Sequence, residues 1–165
     1  MTCNDVPTGA SLYLDANVIV YAFIGISSDC SRLIQRCKGE DLVGVVCTHT
    51  LGEVCHKTMI AEAMKRTGRP AVTVRQLREE SDLVRSLTAY SEYVENLILR
   101  SNLTIVPLTA GHLLGSRSVR ERYGLLTNDS ITVQVMREFR ISSIATNDSD
   151  FEGVEGIQVF KPSDV

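Results

Sequence analysis

The stretch Leu125–Phe151, LLTNDSITVQVMREFRISSIATNDSDF, carries the triplet Thr-Asn-Asp twice. The first copy is Thr127-Asn128-Asp129 and the second is Thr146-Asn147-Asp148, with Asp150 close behind. Between them, Ser130–Phe139 sets Thr132, Val135, Met136 and Phe139 on one side of a helix, and Ile141–Thr146 reads as a strand. If both triplets sit at the same end of a parallel sheet, two carboxylates from distant chain positions converge on one spot. That geometry suits a divalent cation.

The rest of the chain supplies the sheet. SLYLD (Ser11–Asp15) is an apolar run ending in a carboxylate, a strand of the buried parallel type. Ala16–Phe23 follows with Val18, Ile19, Ala22 and Phe23 at helical spacing, and Asp29–Cys37 forms a short helix with Leu33, Ile34 and Cys37 on one side. Leu42–Cys47 is a second, largely β-branched strand, and Thr50–Lys65 is a helix stopped by Gly68-Arg69-Pro70. Thr73–Arg100 reads as two helices broken near Ser86–Tyr90. Leu103–Leu108 is a third strand, Thr109–Glu121 a helix closed by Tyr123-Gly124, and Ile157–Phe160 a short last strand. Strands alternating with helices predict a three-layer α/β/α sandwich around a mainly parallel sheet of about five strands. Residues 1–165 fit one domain, with 1–10 as an N-terminal extension and 73–100 as a helical region. Such a sheet places its site outside the carboxyl ends of the strands, near a switch in strand order.

Composition narrows the class. A hydrophobic fraction of 44% beside 22% charged residues is that of a folded globular chain. No apolar run approaches the ~20 residues of a membrane helix, and MTCNDVPTGAS lacks the basic-then-apolar pattern of a secretory signal. The five cysteines contain no C-x-x-C pair, which points to reduced thiols in a cytoplasmic protein. A net charge of −3 argues against coating nucleic acid by long-range attraction, yet leaves room for an enzyme that meets phosphates through metal ions.

Each acid at the inspected edge has a structural reading beside a functional one. Asp15 and Asn17 suit helix capping as well as a site. Glu53 closes a Thr50-x-x-Glu53 capping box, and Asn128 suits an N-cap with Asp129 in the first turn. Asp148 and Asp150 suit Asx-turns. What favours a site is agreement: Asp15, Glu53, Asp129 and Asp148 all fall at strand ends or helix starts on one edge. Crowded carboxylates repel one another and raise each other's pKa values, and a hard cation such as Mg²⁺ or Mn²⁺ removes that conflict.

At these residues the chain resembles the PIN (PilT N-terminal) domain nucleases. The matching pieces are LYLDANVIVYAF (Leu12–Phe23), Glu53, LLTNDSITVQVM (Leu125–Met136), IATNDSDF (Ile144–Phe151) and the tail GIQVFKP (Gly156–Pro162). The resemblance implies helices around a parallel sheet and metal-dependent hydrolysis of RNA phosphodiester bonds. By position it makes Asp15, Glu53, Asp129 and Asp148 the acidic pocket, with Asn17 beside it and Asp150 auxiliary. Asp15, Asp129 and Asp148 are then the expected metal ligands, and Glu53 a second-site ligand or the group orienting the attacking water. Many members are toxins of toxin–antitoxin pairs and form dimers, so RNA, an antitoxin protein and a second copy are the expected partners. The first motif begins later than in compact toxins, and Thr73–Arg100 is long for them.

Between Lys57 and Arg85, seven Lys/Arg outnumber four Asp/Glu, which makes Lys57, Lys65, Arg66 and Arg69 candidates for the nucleic-acid backbone, beside their reading as a solvated helix face. Arg117, Arg120 and Arg122 form a smaller group of the same kind. His49, His56 and His112 read as surface or packing residues. Two rivals stand beside the nuclease. One is a phosphatase forming an aspartyl-phosphate on Asp15, although the second acid of a D-x-D motif is here Asn17. The other is a non-catalytic binding module whose acids are caps.

Overall fold

The computed structural model describes residues 1–165. Five strands, β1 (Ser11–Leu14), β2 (Val43–Cys47), β3 (Thr104–Val106), β4 (Ser143–Ala145) and β5 (Gln158–Phe160), form one sheet in the order β3-β2-β1-β4-β5. Every pairing is parallel, with Tyr13 opposite both Val45 and Ile144. The helices are α1 (Ala16–Ile24), α2 (Ser28–Lys38), α3 (Thr48–Thr67), α4 (Val74–Glu79), α5 (Ser81–Ser86), α6 (Ala89–Arg100), α7 (Ala110–Tyr123) and α8 (Thr127–Glu138). No single helix is long and apolar enough to cross a membrane.

The period of two along each strand divides the interior. Leu12, Leu14, Val46, Ala145 and Phe160 face one core with α1, α2, α3 and α6. Tyr13, Val45, Cys47, Val106 and Ile144 face the other with α7 and α8. Being covered on both sides, the strands need no polar face, which is why their sequences read as continuous apolar runs. Gly44 interrupts β2 because nothing larger fits: a Cβ there would lie 2.5 Å from Leu103 Cδ2 and 2.8 Å from Cys37 Sγ.

Chain order makes β1 the pivot. The chain steps from β1 to β2 to β3 on one side, then crosses back to lay β4 and β5 on the other. The crevice at the carboxyl ends of β1 and β4 is therefore the switch point where α/β sheets hold their sites.

Residues 1–10 are built into the fold. Cys3 and Val6 are buried in the first core, and Thr2 bridges in parallel to Lys161 beyond β5. The tail closes over the same corner, where Asp164 accepts from the Ser28 N–H at 2.7 Å and the Ser27 hydroxyl at 2.6 Å at the start of α2. Those bonds hold the Asp164 carboxyl at about 2, below the usual range.

Three expectations need correction. Thr73–Arg100 is three helices, because the chain leaves helical geometry at Glu80 as well as at Leu87. Glu80 pairs with Arg69 at 2.6 Å, and Leu77 and Leu87 fill a small third core with Ala63 and Val72. The expected break is capped from a distance: Glu62 accepts from the Thr88 and Tyr90 N–H groups at the start of α6. The Thr50–Glu53 capping box does not form, since α3 starts at Thr48 and the Thr50 hydroxyl turns inward to the buried Tyr13 hydroxyl, 2.7 Å away. Asn128 is not an N-cap either. α8 starts at Thr127, and its N-cap position is Leu126, with no side-chain bond.

Gly44→Ala should overpack the first core and cost about 1–3 kcal/mol. Urea unfolding checks this, and an unchanged midpoint would contradict the close packing of β2.

Candidate functional site

Asp15 leaves β1 as the N-cap of α1, its Oδ1 accepting from the Ala16 N–H at 2.7 Å. Its other oxygen accepts from the Thr146 hydroxyl at 2.6 Å, just past β4, and from the Asn17 amide. Asn17 in turn reaches Thr146 Oγ1 at 3.0 Å and accepts from the Asn147 N–H at 3.0 Å. The β1 and β4 ends are thus stitched together by side chains where the sheet's own bonding stops. Thr146, fully buried, is a site residue that pattern reading passed over. Its partners are distant in the chain, and only its place in the repeated triplet hinted at a role.

The second triplet also makes the expected Asx-turn. The Asp148 N–H donates to Thr146 Oγ1 at 3.0 Å, and Asp148 Oδ1 accepts from the Asp150 N–H at 2.9 Å. Across from it, Asp129 lies in the first turn of α8. Glu53 lies in the second turn of α3, not the first, and pairs with Lys57 at 2.6 Å. An open cleft of about 470 Å³ is lined by Glu53, Leu126, Thr127, Asn128 and Asp129.

The charges of these acids act on one another. Asp129 is pushed up to about 6, first by burial and then by the charges of Asp148, Asp15, Asp150 and Glu53. Asp15 is also raised, chiefly by burial, with Glu53 adding to the shift. The Thr146 and Ala16 bonds and the charge of Lys57 oppose it. The Glu53–Lys57 bridge is the one ion pair that any of these five acids makes.

Unneutralised carboxylates at one switch point fit a divalent cation with oxygen ligands. As the side chains stand, no three His, Cys, Asp or Glu side chains come close enough to share one ion. The donor set therefore suits a cation that keeps several waters and takes few protein ligands, as Mg²⁺ does.

The basic candidates divide. Lys57 faces the acids and bridges Glu53, whereas Lys65 lies roughly 12 Å further along α3 at ~1.5 Å per residue. Arg66 donates to the Ser86 carbonyl and Arg69 is paired with Glu80, so both hold the α4–α5 region against α3 rather than the cleft. Arg117 and Arg122 are paired with Glu121 and Glu155, and Arg120 donates to Ser116 and Ser130. Among the histidines, His112 is a buried packing residue within 3.1 Å of Glu138.

A carboxyl raised in the folded state binds a proton that the unfolded chain has already released. Its stabilising contribution is present near pH 4 and is lost as pH rises through about 6. Asp129→Asn should therefore raise stability at pH 7–8, without divalent ions, by on the order of 1 kcal/mol after discounting for solvent screening. The gain should vanish near pH 4, which thermal melts across that range would test.

Comparison with known proteins bears on what this arrangement is. The ribonuclease VapC6 of Methanocaldococcus jannaschii is 25% identical over 159 residues, covering 92% of this chain and 97% of that protein. The ribonuclease VapC2 of the same organism is 21% identical over 150 residues, covering 91% and 93%. Among solved structures, VapBC2 of Rickettsia felis bound to a promoter DNA fragment matches with a TM-score of 0.58 at 15% identity, over 92% of this chain and 98% of that one. The Mycobacterium tuberculosis toxin VapC20, which cleaves the sarcin-ricin loop, matches with a TM-score of 0.57 at 14% identity, over 89% and 98%. At such identities the structural matches establish the fold alone. The family model of the PIN domain, however, matches residues 12–157, from β1 through the second Thr-Asn-Asp triplet, and the chain belongs to the PIN domain family.

Proposed function

We propose that the protein is a metal-dependent endoribonuclease whose acidic pocket is Asp15, Glu53, Asp129 and Asp148, with Asn17 and Asp150 in support. The observation that carries this reading is the crowding at the β1–β4 switch point, where burial and four neighbouring carboxylates raise Asp129 to about 6. Asp15, Asp129 and Asp148 would hold Mg²⁺ or Mn²⁺ in part through its waters, since no three acids stand close enough to ligate one ion directly. The ion, when bound, lowers the pKa of a water and stabilises charge on phosphoryl oxygens.

The chain's own groups do the rest. Thr146 and Asn17 donate to Asp15 Oδ2 and fix its carboxylate in one orientation. Glu53, on the opposite wall of the cleft, would be a second-site ligand or the group orienting the attacking water. Lys57 beside it offers a cation to an incoming phosphate, whereas Lys65 and Arg66 at the far end of α3, and Arg69 just beyond it, are set too far away to meet the same phosphate. The residue two after Asp15 is Asn17, which donates to Asp15 Oδ2 and has no carboxyl with which to protonate a leaving group. That weighs against the aspartyl-phosphate phosphatase.

The finer reading is a toxin restrained by an antitoxin protein. It draws on likeness to two VapC ribonucleases along nearly their whole length and on the fold shared with the toxin VapC20 and with a toxin–antitoxin complex of Klebsiella pneumoniae.

Asp15→Asn should leave the fold intact and reduce Mn²⁺-dependent cleavage of RNA by at least ~10²-fold, about 3 kcal/mol of barrier. A wild-type protein that cuts no RNA and whose melting temperature ignores Mn²⁺ would end the nuclease reading.

A further inference from the structure

The two walls of the acidic cleft belong to helices on opposite faces of the sheet. Glu53 is on α3, which packs in the first core, and Asp129 is on α8, which packs in the second. One side-chain hydrogen bond joins these helices, between Thr132 Oγ1 and His49 Nε2, 3.3 Å apart. His49 lies one turn before Glu53 on α3, and Thr132 lies nearly one turn after Asp129 on α8, so the bond crosses close to both acids.

The bond is anchored from below. The Cys47 N–H donates to the Tyr13 hydroxyl at 3.3 Å, and the Tyr13 and Thr50 hydroxyls are 2.7 Å apart. Thr50 Oγ1 is 3.5 Å from the same His49 nitrogen, and Tyr13, Thr50 and Thr132 are buried. Burial holds Tyr13 protonated, at about 12, so its hydroxyl can donate to Thr50, and the single lone pair of Nε2 is left to the nearer Thr132 hydroxyl, at 3.3 Å against 3.5 Å for Thr50. Burial likewise lowers the His49 pKa, which favours the neutral ring that such an acceptor requires, although the Glu53 charge opposes it. Nδ1 is buried without a well-aligned partner, and the nearby Asn128 backbone carbonyl favours a proton on that side.

We infer that His49 is a positioning residue, which sets the distance between Glu53 and Asp129 by tying α3 to α8 through Thr132 above the Tyr13–Thr50 pair. This rests on the nuclease reading, because the spacing matters only if both acids serve one site. A histidine that merely filled space could be replaced by any side chain of similar volume. One that positions requires an acceptor at Nε2.

Mn²⁺ binding to the purified protein, followed by calorimetry beside thermal melts and RNA cleavage, separates these roles. His49→Ala and Thr132→Val should each weaken Mn²⁺ binding about tenfold, whereas His49→Gln, which keeps an acceptor near Nε2, should stay within about threefold of wild type. The double variant His49→Ala/Thr132→Val should bind no more weakly than either single one, since both remove the same link. Should His49→Ala fail to fold, Thr132→Val against Thr132→Ser decides the question, the serine retaining binding. Wild-type affinity in both Thr132→Val and His49→Ala, or equal losses in His49→Gln and His49→Ala, would overturn the inference and leave the nuclease reading standing. A wild-type protein that binds no Mn²⁺ overturns both.

Discussion

Strand β1 pairs in parallel with β2 on one side and with β4 on the other, and the acidic cleft depends on that double pairing. It brings Asp15 beside Thr146, although most of the chain separates them. Because β1 is buried on both faces, its register is set by packing: a slip of one residue would move Leu12 and Leu14 out of one core and Tyr13 out of the other. The location of the carboxylates is thus enforced by apolar packing that has no chemistry of its own.

What packing enforces, electrostatics opposes. Asp15, Asp129 and Asp148 are gathered with one lysine bridge among their neighbours, and the folded state carries the resulting repulsion. Hydrogen bonds from Ala16, Asn17 and Thr146 offset part of it at Asp15. Asp129 receives no comparable donors and is the acid pushed furthest. Strain of this kind at a strand-order switch is characteristic of a site rather than of scaffold.

Much of this was legible in the sequence, for reasons that differ by element. Strand runs such as LYL and VGVV and the carboxylates that follow them are local features, and a parallel sheet converts their ends into one edge. The repeated Thr-Asn-Asp triplet marks two of the segments whose acids meet at the switch point, yet its copies differ. The first lies inside the first turn of α8, and the second forms an Asx-turn after β4. What stayed hidden were partnerships across the fold. Thr50 looked like half of a capping box, but the buried Tyr13 hydroxyl needs a partner and takes it. Glu62 caps α6 from α3, Arg69 is held by Glu80, and His49 reaches Thr132, none of which follows from spacing along the chain.

The central claim is that the acids at the β1–β4 switch point share a cation. Anomalous diffraction from crystals soaked in MnCl₂ tests it most directly. A manganese peak bounded by Asp15, Asp129 and Asp148, completed largely by water, is the result expected. Well-ordered crystals that show no peak there, or manganese only at sites remote from these three carboxylates, would contradict it.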